Sequence, residues 1–180
     1  KFLSDAEMHG ITTTLAASPG DTLLIVADAV ATTRSVLGAL RLEIGQPEGH
    51  DELQYLWVTD FPVFEVAPDG RLAPAHHPFT APASVTEMEE HPDTAVSRSY
   101  DLVVNGTELG SGSERIHDPE IQARVFQVLG ISDEEAQSRF GWFIQALRFG
   151  TPPHAGFAVG IDRIIAILQN EPNIREVIPF

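Results

Sequence analysis

Arg98-Ser-Tyr-Asp-Leu-Val-Val-Asn-Gly-Thr-Glu-Leu109 is the stretch on which the fold turns. Asn-Gly between two runs of alternating apolar residues is the strongest short-range signal of a two-residue β-hairpin turn. With Asn105 and Gly106 at the corner, Val104 faces Thr107, Val103 faces Glu108, and an unbroken register sets Asp101 against Gly110. Strand alternation then puts Asp101, Val103 and Glu108 on one face and Leu102, Val104 and Leu109 on the other. The spacing allows two readings of the carboxylates. They are solvated acids on an open sheet face, or diagonal neighbours about 7–8 Å apart at Cα that share a cation such as Mg²⁺.

Downstream, Gly110-Ser-Gly-Ser113 removes side chains where backbone or ligand comes close, and glycines in a strand often mark a bulge. The parity matters. In a regular strand Arg115 points away from Glu108, so a bulge at the glycines is needed to bring both to one face. Arg115 is then either a planar fork for a carboxylate or the partner of Glu114 or Asp118. Asp118-Pro119 supplies an N-cap and a first-turn proline for a helix ending at Gly130, and Ser132-x-x-Glu135 opens another ending near Gly150. A glycine-flanked strand, Phe157–Val159, runs into a helix at Asp162. Arg163 in its first turn opposes the helix dipole, so it either builds an anion site with the free N–H groups or is a solvated arginine beside an Asp cap.

Upstream, Leu53–Thr59 and Val63–Val66 read as strands, Pro68-Asp-Gly70 as a turn between short strands, and Ser84-x-x-Glu87 as the start of a short helix. The pattern is antiparallel, not alternating βαβ. The loop Ala75-His-His-Pro-Phe-Thr-Ala-Pro82 carries two adjacent histidines, which point apart in extended chain. With no H-E-x-x-H and no Cys, zinc is disfavoured, and a titrating histidine near a substrate is the better reading. His154, His117 and Tyr100 read as structural. Residues 1–45 read as helix, strand, helix: a Ser4-x-x-Glu7 capping box introduces a helix to about Ala17, Thr22–Ala27 is a buried-strand run, and Asp28–Ile44 has helical apolar spacing. Gln46–Glu52 is the best linker.

Composition bounds the function. The 180 residues are 43% hydrophobic and carry a net charge of −15, with no cysteine. A chain that coats nucleic acid needs a basic stripe, and none is present. Disulfides and thiolate chemistry are excluded, and the longest apolar run, Ile164–Leu168, is far below the roughly 18 residues of a membrane span. The apolar ends, Phe-Leu and Val-Ile-Pro-Phe, lead to the expectation of a fragment.

Several stretches together resemble bacterial-type aspartyl-tRNA synthetases, which are class II synthetases. They are Leu56–Glu65, His76–Thr80, Tyr100–Gly106, Glu108–Ile116 and Gly150–Arg163, the last resembling class II motif 3. The resemblance covers essentially the whole chain. It implies an α+β fold, an antiparallel sheet flanked by helices, with residues 46–180 as the C-terminal half of the catalytic domain and residues 1–45 as the end of a partial α/β insertion domain. It implies ATP-dependent activation of L-aspartate with Mg²⁺ and transfer to tRNA(Asp), in a cytoplasmic homodimer with no membrane partner. By the same resemblance Asp101 and Glu108 hold Mg²⁺, and Glu108 also faces ATP. Arg115 clamps the aspartate carboxylate, and Arg163 binds the γ-phosphate with Gly160, Ile161 and Asp162 beside the adenine. Ser111 and Gly112 line the floor, and His76 closes over the aspartate amino group.

The departures are class II motifs 1 and 2 and the anticodon-binding barrel, none of which is in this sequence, and Glu114, where the family usually has a β-branched apolar residue. The isolated chain is therefore expected not to aminoacylate. The alternatives are a non-catalytic synthetase-derived fragment or paralogue that binds an amino acid, nucleotide or partner, and the related asparaginyl enzyme, which Arg115 disfavours because its fork suits a carboxylate better than an amide.

Overall fold

The computed structural model describes residues 3–45 and 52–179, so most of the expected linker, 46–51, lies outside the described residues. The chain divides into two compact units, Lys1–Gly49 and His50–Phe180.

In the first unit, α1 (Asp5–Thr14) begins with the expected capping box: the Glu7 N–H donates to Ser4 Oγ, and the Ser4 N–H donates to Glu7 Oε2 at 2.7 Å. It stops three residues earlier than the spacing suggested. A turn follows in which the Asp21 N–H donates to the Ser18 carbonyl and Gly20 has a φ of +105°. α2 (Val30–Ile44) ends at Gly45. The expected strand at Thr22–Ala27 is not formed: the segment has no ladder partner among the described residues. A strand exists only by pairing, so the apolar run stays single, with Leu24 and Ile25 more than half exposed. The described part of this unit is thus helical, where an α/β character was expected.

The second unit is built on a four-stranded antiparallel sheet in the order β1 (Tyr55–Val58), β4 (Ser99–Val104), β5 (Thr107–Glu114), β6 (Ala155–Val159). A separate hairpin pairs β2 (Phe64–Val66) with β3 (Leu72–Pro74) around the expected Pro68–Gly70 turn. Asn105 and Gly106 both take positive φ, 47° and 81°, as a type I′ corner demands. Among the described residues four α-helices, α3 (Val85–Glu90), α4 (Pro119–Val128), α5 (Asp133–Leu147) and α6 (Ile161–Leu168), and a short 3-10 helix, Ile174–Glu176, complete the unit. Ser84, Asp118 and Ser132 cap the first three as their motifs predicted. The core joins Val63, Phe64, Met88, Ala95, Ile116 and Val125, all buried. Beside it Phe79 packs edge-on against Phe126 and Phe140 and tilted against Phe143. Among the described residues no helix is long and apolar enough to cross a membrane.

The β4–β5 register corrects one expectation. Val104 faces Thr107 and Val103 faces Glu108 as read, but Leu102 faces Gly110 and Asp101 faces Ser111. The register shifts by one residue, leaving Leu109 as the extra residue of a bulge. Everything in β5 beyond it therefore changes face. Gly110 and Gly112 turn to the side of Leu102 and Tyr100, under β6. A Cβ on Gly112 would run into the Gly156 carbonyl oxygen and come within 2.8 Å of the Tyr100 ring and 3.0 Å of the Phe157 Cα. Two of those three obstacles are backbone atoms of β6 that cannot swing aside, so the β5–β6 pair must part. Gly112→Ala is expected to cost about 1–3 kcal/mol, the usual range for overpacking. Urea unfolding checks this, and an unchanged midpoint would count against the close approach.

Candidate functional site

The bulge assembles the site. Alternation on either side of Leu109 puts Asp101 from β4, Glu108, Ser111 and Ser113 from β5, and Arg115 just past the end of β5 on one face. The condition that the parity argument set for Glu108 and Arg115 is thus met, one residue before the glycines. Ser99 and Ser113 are opposite one another, 3% and 2% exposed, and form a buried hydroxyl floor with Thr80, whose hydroxyl donates to Ser113 Oγ at 3.3 Å, and Ser97, whose Oγ lies 2.6 Å from that of Ser99.

Asp101 is the acid of this face that its surroundings hold against its charge. Its Oδ1 is buried and makes no hydrogen bond among the described residues. Burial first, and then the like charge of Glu108, push its pKa above the ordinary carboxylate value, with His76 acting weakly in the opposite sense. Glu108 is therefore close enough to oppose the ionisation of Asp101, whose buried oxygen is short of a partner among the described residues. Together they suit a hard cation that takes one or two carboxylates from the protein and its remaining ligands from elsewhere. Among the described residues there is no cluster of three or more His, Cys, Asp or Glu that forms a metal cage.

Arg163 comes to the acidic pair from the first turn of α6. The Gly160 N–H donates to the Leu109 carbonyl at 2.9 Å, which pins the start of the helix to the bulged residue. Arg163 Nη1 then donates to the Glu108 carbonyl at 2.6 Å and lies 3.3 Å from Glu108 Oε1. With both side chains 40% or more exposed, this ion pair contributes about 0–1 kcal/mol, so either charge can re-pair with a ligand at little cost. Gly160, Ile161 and Asp162 line the same helix start. Gly160 packs against the aliphatic stem of Arg163, and Ile161 and Asp162 are exposed.

Arg115 occupies the other end. Its N–H donates to the His154 carbonyl, and its half-buried side chain lies beside Gly156, its nitrogens 3.9–4.0 Å from where a Cβ would stand. Neither of its suggested acidic partners takes it up. Glu114 points to the opposite face and pairs with Arg98 at 3.5 Å, and the Asp118 carboxylate caps α4. Among the described residues Arg115 has no salt bridge, which leaves its fork available for a carboxylate.

The histidine loop divides its two rings between these charges. His76 packs edge-on against Phe61, 4.6 Å between centroids, and acts electrostatically on Asp101. His77 accepts the Phe79 N–H at its Nδ1, 3.2 Å, which requires that nitrogen to be unprotonated. Burial and then the Arg115 charge hold the His77 pKa below the ordinary histidine value. His77 thus belongs to the site beside His76; its signal in the sequence was the doublet itself. Ser111 faces the site, whereas Gly112 contributes backbone only, its Cα turned to the opposite side. Tyr100 lies on that opposite face too, donating to the Gly156 carbonyl at 3.1 Å.

The chain is similar in fold to an aspartyl-tRNA synthetase from Entamoeba histolytica, 26% identical over 95% of this chain and 29% of that one, with a TM-score of 0.53. It is also similar in fold to a putative aspartyl-tRNA synthetase from Leishmania major Friedlin, at 23% identity, 93% and 28% coverage and a TM-score of 0.51. An asparaginyl-tRNA synthetase from Entamoeba histolytica matches at 19% identity, 97% and 33% coverage and a TM-score of 0.54. The chain thus spans about a third of these proteins or less. Residues 25–180 match the family model of class II tRNA synthetases (D, K and N). A single antiparallel sheet that gathers an acidic pair, two arginines and a histidine loop on one face, over a sequence that fits this family from residue 25 to the end, belongs to the class II tRNA synthetases of the D, K and N group.

Proposed function

We propose that this sequence is part of a bacterial-type aspartyl-tRNA synthetase. In this reading residues 1–45 are the end of the insertion domain, and 46–180 are the C-terminal half of the catalytic domain, with motif 3 at Gly150–Arg163. The whole enzyme joins L-aspartate to ATP as aspartyl-adenylate and passes the aspartyl group to the 3′ end of tRNA(Asp), as a cytoplasmic homodimer. The observation that carries the amino-acid choice is Arg115, a half-buried fork with no carboxylate of its own among the described residues.

Arg115 binds the side-chain carboxylate of aspartate in bidentate fashion and so orients its α-carboxylate. An asparagine amide would turn N–H donors toward a group that only donates, which disfavours the asparaginyl reading. His76 approaches the amino group of the substrate. Arg163 leaves Glu108 for the terminal phosphate, with Gly160, Ile161 and Asp162 beside the adenine and Ser111 and Gly112 along the floor. Asp101 and Glu108 hold Mg²⁺, a role supported by the buried Oδ1 of Asp101, unpartnered among the described residues, and by the like charge of Glu108 acting on Asp101. When bound, the ion offsets negative charge on the phosphate oxygens. The α-carboxylate oxygen bonds to the α-phosphorus as the bond to the leaving pyrophosphate breaks, so what the protein supplies is alignment and charge.

Arg115→Gln in the complete enzyme is expected to lower kcat/KM for aspartate by about 10²-fold or more, the scale of removing one partner of a desolvated charge pair. The aspartate-to-asparagine ratio in adenylate formation measures it, and an unchanged ratio would overturn the clamp. The isolated 180-residue chain, without motifs 1 and 2, is expected to show no aspartate-dependent pyrophosphate exchange, and measurable exchange would refute that. Asp101 yields a prediction from its raised pKa. The folded protein binds this proton more tightly than the unfolded chain, so stability falls as pH rises from the ordinary carboxylate range through the higher folded value. Asp101→Asn is expected to remove that slope and raise the melting temperature at pH 7 while weakening Mg²⁺ binding. A lower melting temperature at pH 7 would show that the carboxylate is structural.

A further inference from the structure

Gln122 lies on α4 with its side chain wholly withdrawn from solvent, and its Nε2 donates to the Pro78 carbonyl at 2.9 Å. Its Oε1 is buried and accepts no bond from the described residues. A half-satisfied buried amide is a costly way to fill space, since Met or Leu of similar length would leave no bare oxygen. What only the amide supplies at this position is the donor to Pro78.

Pro78 is the residue that needs it. Proline has no N–H, so its carbonyl is the one backbone group by which it can be tied down. The loop around it is fixed on both sides. Upstream the Ala75 N–H donates to the Val63 carbonyl, and downstream the Phe79 carbonyl accepts from Ile116 and the Thr80 N–H donates to the His77 carbonyl. Between those ties sit His76, on its Phe61 contact, and His77, whose ring is bonded back to Phe79. The Gln122 bond therefore fixes the middle of the span, immediately after the two histidines, from a helix that presents nothing to the site itself.

We infer that Gln122 is a positioning residue, holding Pro78 so that His76 keeps its contact with Phe61 and His77 its bond to Phe79 beside the site. The inference concerns the site proposed above, and its catalytic meaning rests on that reading. The test needs no substrate, so its failure is separable from failure of the aspartate assignment.

Amide hydrogen exchange is compared in the wild-type chain and Gln122→Met, which keeps length and removes the donor. The Phe79 and Thr80 amides are expected to lose about tenfold in protection, the equivalent of about 1.4 kcal/mol, while Val104 and Ser113 in the sheet are unchanged. The midpoint of the His77 ring titration is expected to rise toward the ordinary histidine value as the ring leaves its buried place beside Arg115. A uniform loss of protection with the titration unmoved would mean Gln122 is merely structural, and no change in either would mean that Pro78 needs no tie; both overturn the inference. Should the variant fail to fold, the through-bond coupling between the Gln122 side-chain nitrogen and the Pro78 carbonyl carbon in the wild-type chain decides: its presence supports the tie and its absence removes it.

Discussion

The one-residue register shift at Leu109 is the constraint on which the rest of the second unit depends. A strand has two faces and a period of two, so a single extra residue exchanges the faces of everything beyond it. Before the bulge Glu108 shares a face with Asp101; after it Ser111, Ser113 and Arg115 do so as well. Without the bulge Arg115 would join Trp57, Tyr100 and Phe157 on the aromatic side, and the acidic pair would face no guanidinium from β5. The Leu109 carbonyl also takes the Gly160 N–H, so the same irregularity that turns Arg115 inward fixes the start of α6 and brings Arg163 to Glu108. Two arginines 48 positions apart in sequence thus reach one face through one bulged residue.

The glycines follow from the same cause. Once the parity has changed, positions 110 and 112 face β6 at close range, against Phe157, the backbone at 156–159 and the Tyr100 ring. Any side chain there would separate the strands that present Ser111 and Ser113. In the sequence the Gly-Ser-Gly-Ser pattern reads as room for backbone or ligand; in the structure the glycines give room to backbone and rings, and the serines face the site.

Much of this was legible where the signal is local. The Asn105-Gly106 corner, the caps at Ser4, Ser84, Asp118 and Ser132, and the antiparallel arrangement each follow from a few adjacent residues whose conformational preferences agree. What escaped depends on partners distant in sequence. Asp101 was set against Gly110 because nothing local distinguishes a regular strand from one that is bulged at Leu109. Thr22–Ala27 has strand composition but no strand, because composition cannot provide a ladder. Gln122 carries no signal of its own in the sequence, since its meaning lies in Pro78, 44 residues earlier. Ser99 and Ser113 likewise became a buried floor only when pairing set them opposite each other.

Charge ties the site to the whole. The chain carries −15 overall, yet the face that gathers Asp101, Glu108, Arg115 and Arg163 holds two carboxylates and two guanidiniums and is locally balanced. Such a balance is useful only if the pairs are loose. The Arg163–Glu108 pair is exposed, Arg115 has no acid of its own among the described residues, and Asp101 is held partly against its charge. A tightly internally paired set of the same groups would be more stable and would bind nothing, because a ligand would have to break strong contacts before making its own. Here an anion can take each arginine, and a cation the acidic pair, with little to displace. That arrangement gives a strongly acidic polypeptide a face suited to substrates that are themselves anions, without the basic surface that nucleic acid coating would need.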